Sequence, residues 1–271
     1  MTMKRTILPA LFLTLFFPLA SRAQQSSPGQ VRQVSTPHPA SVQPDMTPLQ
    51  MGELRADILM ARKMFPEAIS SYQHLVREEP KNAVVLNKLG VAYEVWGNNG
   101  LAERYFKKAI KVDKTYASAY NNVGTVEYAK HRFGDAIKWY DKTLSLRADM
   151  PAVYSNLGYA YFDEKKYPEA MSCFQKAIQI DPLIFQEKGD NGSVVQQRGI
   201  TDPGLFYFFV ARTYAQLGNA ERTAHYLKMA RDDGYQKFVS AKTDPAFTKV
   251  IKDPQVVAVF APVPELADKR Q

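Results

Sequence analysis

Four histidines, one cysteine and a few adjacent carboxylates are the residues of this 271-residue chain that could ligate a metal, attack a carbonyl or move a proton. His38, His74, His131 and His225 stand far apart, and no two have metal-ligand spacing. Cys173 has no second cysteine to pair with and sits beside Phe174 in an amphipathic stretch, the setting of a packed small residue. Asp163-Glu164 and Asp232-Asp233 fall in turns, where solvation and helix-end electrostatics account for them. Asn191-Gly192-Ser193 matches a glycosylation pattern by chance. No general acid, base and nucleophile come together. The expectation is a non-enzymatic chain with no catalytic residue, no metal and no cofactor.

The order in the chain lies elsewhere, in a period. Gly90, Gly124 and Gly158 are 34 residues apart, and so are Ala68, Ala102, Ala136 and Ala170. Four residues after each alanine comes an aromatic: Tyr72, Phe106, Tyr140 and Phe174. Three further on lie Leu75, Ala109, Thr143 and Ala177. Each unit holds two helical stripes, such as Tyr154, Leu157, Gly158, Tyr161 and then Ala170, Phe174, Ala177, Ile178. Short polar turns such as `DEKKYP` separate them, and `EEP` or `IDP` ends the unit. A hairpin of this length cannot cover its own apolar stripes, so the copies must stack.

The spacing of Tyr154, Leu157, Gly158, Tyr161, Ala170, Phe174, Ala177 and Pro182 resembles the tetratricopeptide repeat. Residues 83–116 and 117–150 follow it with Lys114 and Ala148 in place of the proline, and with Glu127 and Thr143 as further departures. Residues 49–82 carry Ala56 where glycine is usual, and a fifth copy at 204–237 carries Tyr207, Ala211, Tyr214, Leu227 and Ala230, with Thr223 replacing alanine. The resemblance implies an all-α fold, a right-handed superhelical solenoid of about five hairpins closed by a C-terminal helical cap. It reports fold more than partner.

It also implies a concave surface lined by the first helix of each hairpin. The matching positions are Asn87, Val91 and Glu94; Asn121, Thr125 and Tyr128; Ser155, Tyr159 and Phe162; and Phe208, Arg212 and Ala215. Each set is spaced i, i+4, i+7, one helical face. Asn122 and Asn156 match the place where some family members hold a peptide backbone, with Lys88 breaking the run one copy earlier, so that any such ladder is short; the same amides could instead bond only neighbouring helices. Lys and Arg are scarce on this face, which argues against a clamp for a C-terminal carboxylate. Two amide contacts of about 0.5–1.5 kcal/mol each fall short of the roughly 8 kcal/mol of a micromolar complex. Tyr128, Tyr159, Phe162 and Phe208 are therefore expected to add apolar burial.

The remaining segments frame this array. Lys4 and Arg5 precede the apolar run Ile7–Leu19, too short at about 13 residues for the roughly 20 of a membrane span, and Ser21-Arg22-Ala23 offers a cleavage site. Residues 1–23 read as a signal peptide and 24–48 as a Gln/Ser/Pro-rich tether. The mature chain would have no transmembrane span, an exported and periplasmic location, and a net charge reduced from +8 to about +5. That excess, with Arg104, Lys107, Lys108 and Lys111 on one outer helix face, gives no nucleic-acid signature.

Residues 185–203 interrupt the period as a loop or small hairpin bordering the groove. Residues 238–262 carry two Asp-Pro helix starts, and Phe247, Val250, Ile251, Val256, Val257 and Phe260 to close the stack, before a tail at 263–271. The functional expectation is an adaptor or scaffold in the bacterial cell envelope, holding a protein or peptide partner in the groove. The alternative is an architectural subunit of an envelope complex that uses convex or end surfaces or self-association.

Overall fold

The computed structural model describes residues 46–185, 200 and 202–261. The segments read as signal peptide, tether, interruption and tail lie wholly or mostly outside them. Successive hairpins are α1 (Pro48–Ala61) with α2 (Phe65–Glu78), α3 (Ala83–Val95) with α4 (Asn99–Val112), α5 (Ala117–Ala129) with α6 (Phe133–Leu146), α7 (Pro151–Asp163) with α8 (Tyr167–Ile180), and α9 (Pro203–Gln216) with α10 (Ala220–Asp232). Each helix packs on the next, and α3, α5 and α7 also touch one another, which is the solenoid the repeats require. No described helix is long and apolar enough to cross a membrane.

Local chemistry sets the boundaries. Thr47 and Gln50 form a reciprocal capping box at α1. Asn82, Asn98, Asp202 and Asn219 each accept a backbone N–H three residues on, at 2.9–3.1 Å. Pro48, Pro66, Pro151, Pro168 and Pro203 occupy first turns, where no N–H is missed. The turn inside each hairpin places its residue in the left-handed region: Lys63 (φ 59°), Gly97 (88°), His131 (58°), Lys165 (61°) and Gly218 (78°). Lysine and histidine cost about 1–2 kcal/mol there relative to glycine.

The hairpins close on one contact. A Cβ built on Gly90, Gly124 or Gly158 would stand 2.4, 2.6 or 2.3 Å from the ring of Phe106, Tyr140 or Phe174. These rings are fully buried, as are Ala102, Ala136 and Ala170. The departures from the repeat pattern are accommodated locally. Thr143 is buried with its hydroxyl donating to the Trp139 carbonyl at 2.9 Å, and the buried Glu127 pairs with Lys130 and Arg132, both at 3.3 Å.

The fourth and fifth hairpins meet differently. Ile184 and Phe185, at the start of the interruption, are buried in the core, and the Phe185 ring lies 5.4 Å from Phe174 and 6.4 Å from Phe206. The Phe185 carbonyl accepts from Tyr226 Oη at 2.5 Å, and the Pro182 carbonyl from Tyr214 Oη at 3.2 Å. Beyond α10, a 3-10 segment at Gln236–Lys242, another at Pro245–Phe247, and α11 (Pro254–Val259) pack on α9 and α10. Asp244 and Asp253 cap the last two, each accepting at 2.9 Å. Phe247, Val250, Val256 and Val259 are buried, whereas Val257 is exposed, because the single short turn of α11 can bury only one side.

The glycine contact gives a direct test. Gly158→Ala forces a methyl group into the Phe174 ring and is expected to lower unfolding free energy by about 1–3 kcal/mol. Gly100→Ala, with no atom nearer than 3.8 Å to the new carbon, serves as the mild control in the same denaturation experiment.

Candidate binding groove

The first helices bring Asn87, Val91, Glu94, Asn121, Asn122, Thr125 and Asn156 along one inner surface, and their amides form a chain. Asn122 Nδ2 donates to Asn87 Oδ1 at 2.9 Å, Asn156 Nδ2 to Asn121 Oδ1 at 3.1 Å, and Asn121 Nδ2 to Asn122 Oδ1 at 3.1 Å. Both bonds between helices span 35 residues, one repeat plus one position. The same step leads from Lys88 to Glu53, paired at 2.5 Å, with Asp57 also 2.6 Å from the ammonium. Lys88 is thus the first rung of the ladder, where the sequence alone read it as a break.

Burial alone would lower the Lys88 pKa, but its hydrogen bonds to Asp57 and Glu53 outweigh that and hold it above the ordinary value. Asp57 also accepts from Tyr72 Oη, which ties the rung to α2. At the other end the step from residue 209 to 155 finds Phe209, which cannot donate. Ser155 Oγ is accordingly buried with no hydrogen-bond partner among the described residues.

The amides are left with both donors and acceptors to spare. Each bonded amide nitrogen has used one of its two hydrogens, and Asn87 Nδ2 makes no side-chain hydrogen bond among the described residues. Asn121, Asn122, Thr125, Val91 and Glu94 are partly exposed; the Thr125 hydroxyl is turned back to the Asn121 carbonyl at 3.2 Å. Asn87 and Asn156 are each 7 % exposed. A surface of this kind suits the alternating carbonyl oxygens and N–H groups of an extended chain.

The aromatic half of the expected site is corrected. Tyr128, Tyr159, Phe162 and Phe208 are 2–6 % exposed and belong to the core. Tyr128 Oη donates to Asp163, and its ring packs 5.2 Å from Phe133. Tyr159 lies 5.1 Å from Phe206 and 5.6 Å from Phe174. Phe162 is enclosed by Tyr167, Phe206 and Phe209 at 5.5–5.8 Å. Phe208 is covered by Tyr235 and Phe247 of the C-terminal segment at 5.1 and 5.7 Å.

For Tyr159 and Phe162 the physical reason is the irregular fourth-to-fifth junction, where aromatic side chains fill space that a regular hairpin stack would not leave; Phe208 is covered by the C-terminal segment, and Tyr128 by Phe133 of its own hairpin and its bond to Asp163. Arg212 is likewise engaged: Nε lies 2.9 Å from Asp244 Oδ2, close enough to pair although not aligned for a hydrogen bond, and Nη1 reaches Met171 Sδ at 3.4 Å. The open part of the groove is therefore its N-terminal part.

Two titratable groups complete the picture. Desolvation pushes the Glu94 carboxyl up to about 7, and no described side chain pairs with it. Burial, reinforced by Asp141 and Glu169, pushes the Cys173 thiol up to about 12, so it is a thiol and not a thiolate at neutral pH.

Asn122→Ala removes two bonds and strands Asn87 and Asn121, and is expected to lower unfolding free energy by about 1–3 kcal/mol in chemical denaturation. Glu94 binds its proton more tightly folded than unfolded, so it makes stability fall as pH rises from the ordinary carboxylate range to about 7. Glu94→Gln should flatten that slope, leaving stability unchanged in acid and higher above neutrality, as read from thermal midpoints across pH.

Tetratricopeptide repeat family models match residues 151–182 and 88–152. No curated protein matches. Among solved structures, MamA is 23 % identical with a TM-score of 0.47, covering 67 % of this chain and 95 % of that one. MamA from Desulfovibrio magneticus RS-1 is 15 % identical with a TM-score of 0.48, covering 70 % and 96 %. YrrB, described as a TPR protein with an unusual peptide-binding site, is 18 % identical with a TM-score of 0.45, covering 71 % and 91 %. The matched models and the stacked hairpins closed by glycine–aromatic contacts identify residues 88–182 as tetratricopeptide repeats.

Proposed function

We propose that this protein is a non-enzymatic adaptor of the bacterial cell envelope, exported by a leader cut after Ala23, and that it holds an extended segment of a partner protein along α3, α5 and the start of α7. The observation that carries the binding mode is the amide ladder Asn156–Asn121–Asn122–Asn87, fixed in place by its own bonds and left with spare N–H groups. Donors held this way need little reordering on binding, which favours recognition of a peptide backbone. Four such contacts at about 0.5–1.5 kcal/mol each still fall below a micromolar affinity. The apolar Val91 and the carboxyl of Glu94 are the groups beside them that add burial and charge. The envelope location is supported by the composition of residues 1–23, a basic start followed by an apolar run and small residues at the cut.

A second reading, an architectural subunit that uses an end surface, has its own observation. Val85, Ala119, Val153 and Phe206 occupy one repeat position, and Ala92, Val126, Ala160 and Thr213 another; all are buried under the preceding hairpin. At the same positions in α1, Met51 and Ile58 are 51 % and 43 % exposed, with Leu54 between them at 47 %.

A photo-crosslinking residue placed in turn at Thr125, Leu54 and the exposed convex Ser172 separates the two in intact cells. The adaptor reading expects an adduct from position 125 that weakens at least severalfold in the Asn122→Ala background. Adducts from Leu54 alone, or a Thr125 adduct indifferent to Asn122→Ala, would favour the architectural role.

A further inference from the structure

Because consecutive helices run antiparallel, all the turns inside the hairpins lie along one edge of the stack, and the repeat puts them at the same three positions each time. Those positions hold Arg62, Lys63 and Met64 in the first hairpin, Trp96, Gly97 and Asn98 in the second, Lys130, His131 and Arg132 in the third, Glu164, Lys165 and Lys166 in the fourth, and Leu217, Gly218 and Asn219 in the fifth. Lys130 and Arg132 are committed to Glu127, and Lys166 lies 3.4 Å from the exposed Glu164. Arg62, Lys63 and Lys165 are exposed and have no acidic partner among the described residues. Between these cations stand Trp96, 53 % exposed, with Val95 at 51 % and Met64 at 39 %.

Two features set this edge apart from an ordinary solvated surface. Lys63, His131 and Lys165 sit at left-handed positions where glycine, as at Gly97 and Gly218, is the unstrained choice. A basic or titratable side chain is present there against the backbone preference. An indole at an exposed turn is also the largest apolar group that the edge could have hidden, and it is not hidden.

From this placement we infer that the turn edge docks on an anionic lipid surface, with Lys63 and Lys165 meeting lipid phosphates and Trp96 entering the headgroup layer. The chemistry fits a bilayer better than a folded acidic partner. The free cations are not gathered into a pocket: Arg62 and Lys63 stand in the first hairpin and Lys165 in the fourth, three hairpin steps of about 10 Å each along the edge. Point cations flanking an indole and aliphatic groups are the composition of interfacial binding, in which apolar burial and attraction to anionic lipid add. The groove remains open to a partner, since its residues lie on the inner faces of α3, α5 and α7 and not in the turns.

The test uses the full chain carrying Trp139→Phe, so that Trp96 is the one remaining tryptophan. It is mixed with vesicles of phosphatidylglycerol and phosphatidylethanolamine in equal parts, or of phosphatidylcholine alone. Expected are sedimentation with the anionic vesicles only, a blue shift of Trp96 emission on binding, and loss of both at high salt. In the same background Lys63→Gly with Lys165→Gly should lower the vesicle partition coefficient by about tenfold or more while the thermal midpoint stays level or rises, since strain is relieved.

Opposite movement of binding and stability distinguishes lost docking from a damaged fold. Equal binding to both vesicles, no blue shift, or full binding by the glycine variant overturns the inference; because every variant keeps the N-terminal apolar run, binding through that run would appear as one of these results. Retention on immobilised polyglutamate without retention on anionic vesicles also overturns it, in favour of an acidic protein partner.

Discussion

Everything in this chain depends on how closely two helices of a hairpin can approach. A hydrogen atom at Gly90, Gly124 and Gly158, where other residues carry a side chain, lets the ring of Phe106, Tyr140 or Phe174 lie against backbone. That contact sets the distance between first and second helices, and with it the distance between successive first helices. The 35-residue hydrogen bonds of the ladder are possible only because each hairpin is delivered at the same spacing as the one before. A repeat this strict in its packing positions leaves the rest of its surface free to vary, and the ladder and the turn edge both occupy such positions.

The helices, their order and the stacking contacts were readable from the chain because they follow from periodicity, and a 34-residue period is visible without coordinates. The ladder was readable only in part. Asn122 and Asn156 stood out by matching position, but their acceptors, Asn87 and Asn121, lie one residue out of register in the previous copy, and nothing in a helical stripe announces an offset of one. Lys88 looked like an interruption because lysine is not an amide. In space it makes the same step to Glu53, and the signal that could have shown it is the pair of carboxylates at Glu53 and Asp57.

The aromatic residues were misplaced for a different reason. Tyr159, Phe162 and Phe208 have inner-face spacing, and in a uniform stack that spacing would leave them open. The stack is not uniform after Ile180. Phe185 enters the core from the interruption, Phe206 and Phe209 reach back toward α7, and Phe247 arrives from beyond α10 to cover Phe208. Helical phase specifies which way a side chain points along its own helix; it does not specify what a distant segment lays over it.

The handover at Ser155, where polar rungs end and Phe209 begins, divides the stack into parts that respond to different conditions. The part around Lys88, Glu53 and Asp57 adds charge attraction, which salt weakens, to an apolar core of its own. The part built on Tyr159, Phe162, Phe174 and Phe206 depends on apolar burial, which weakens on cooling. Cooling therefore weakens the packing of every hairpin, whereas added salt weakens the charged rung at Lys88 and not the aromatic cluster.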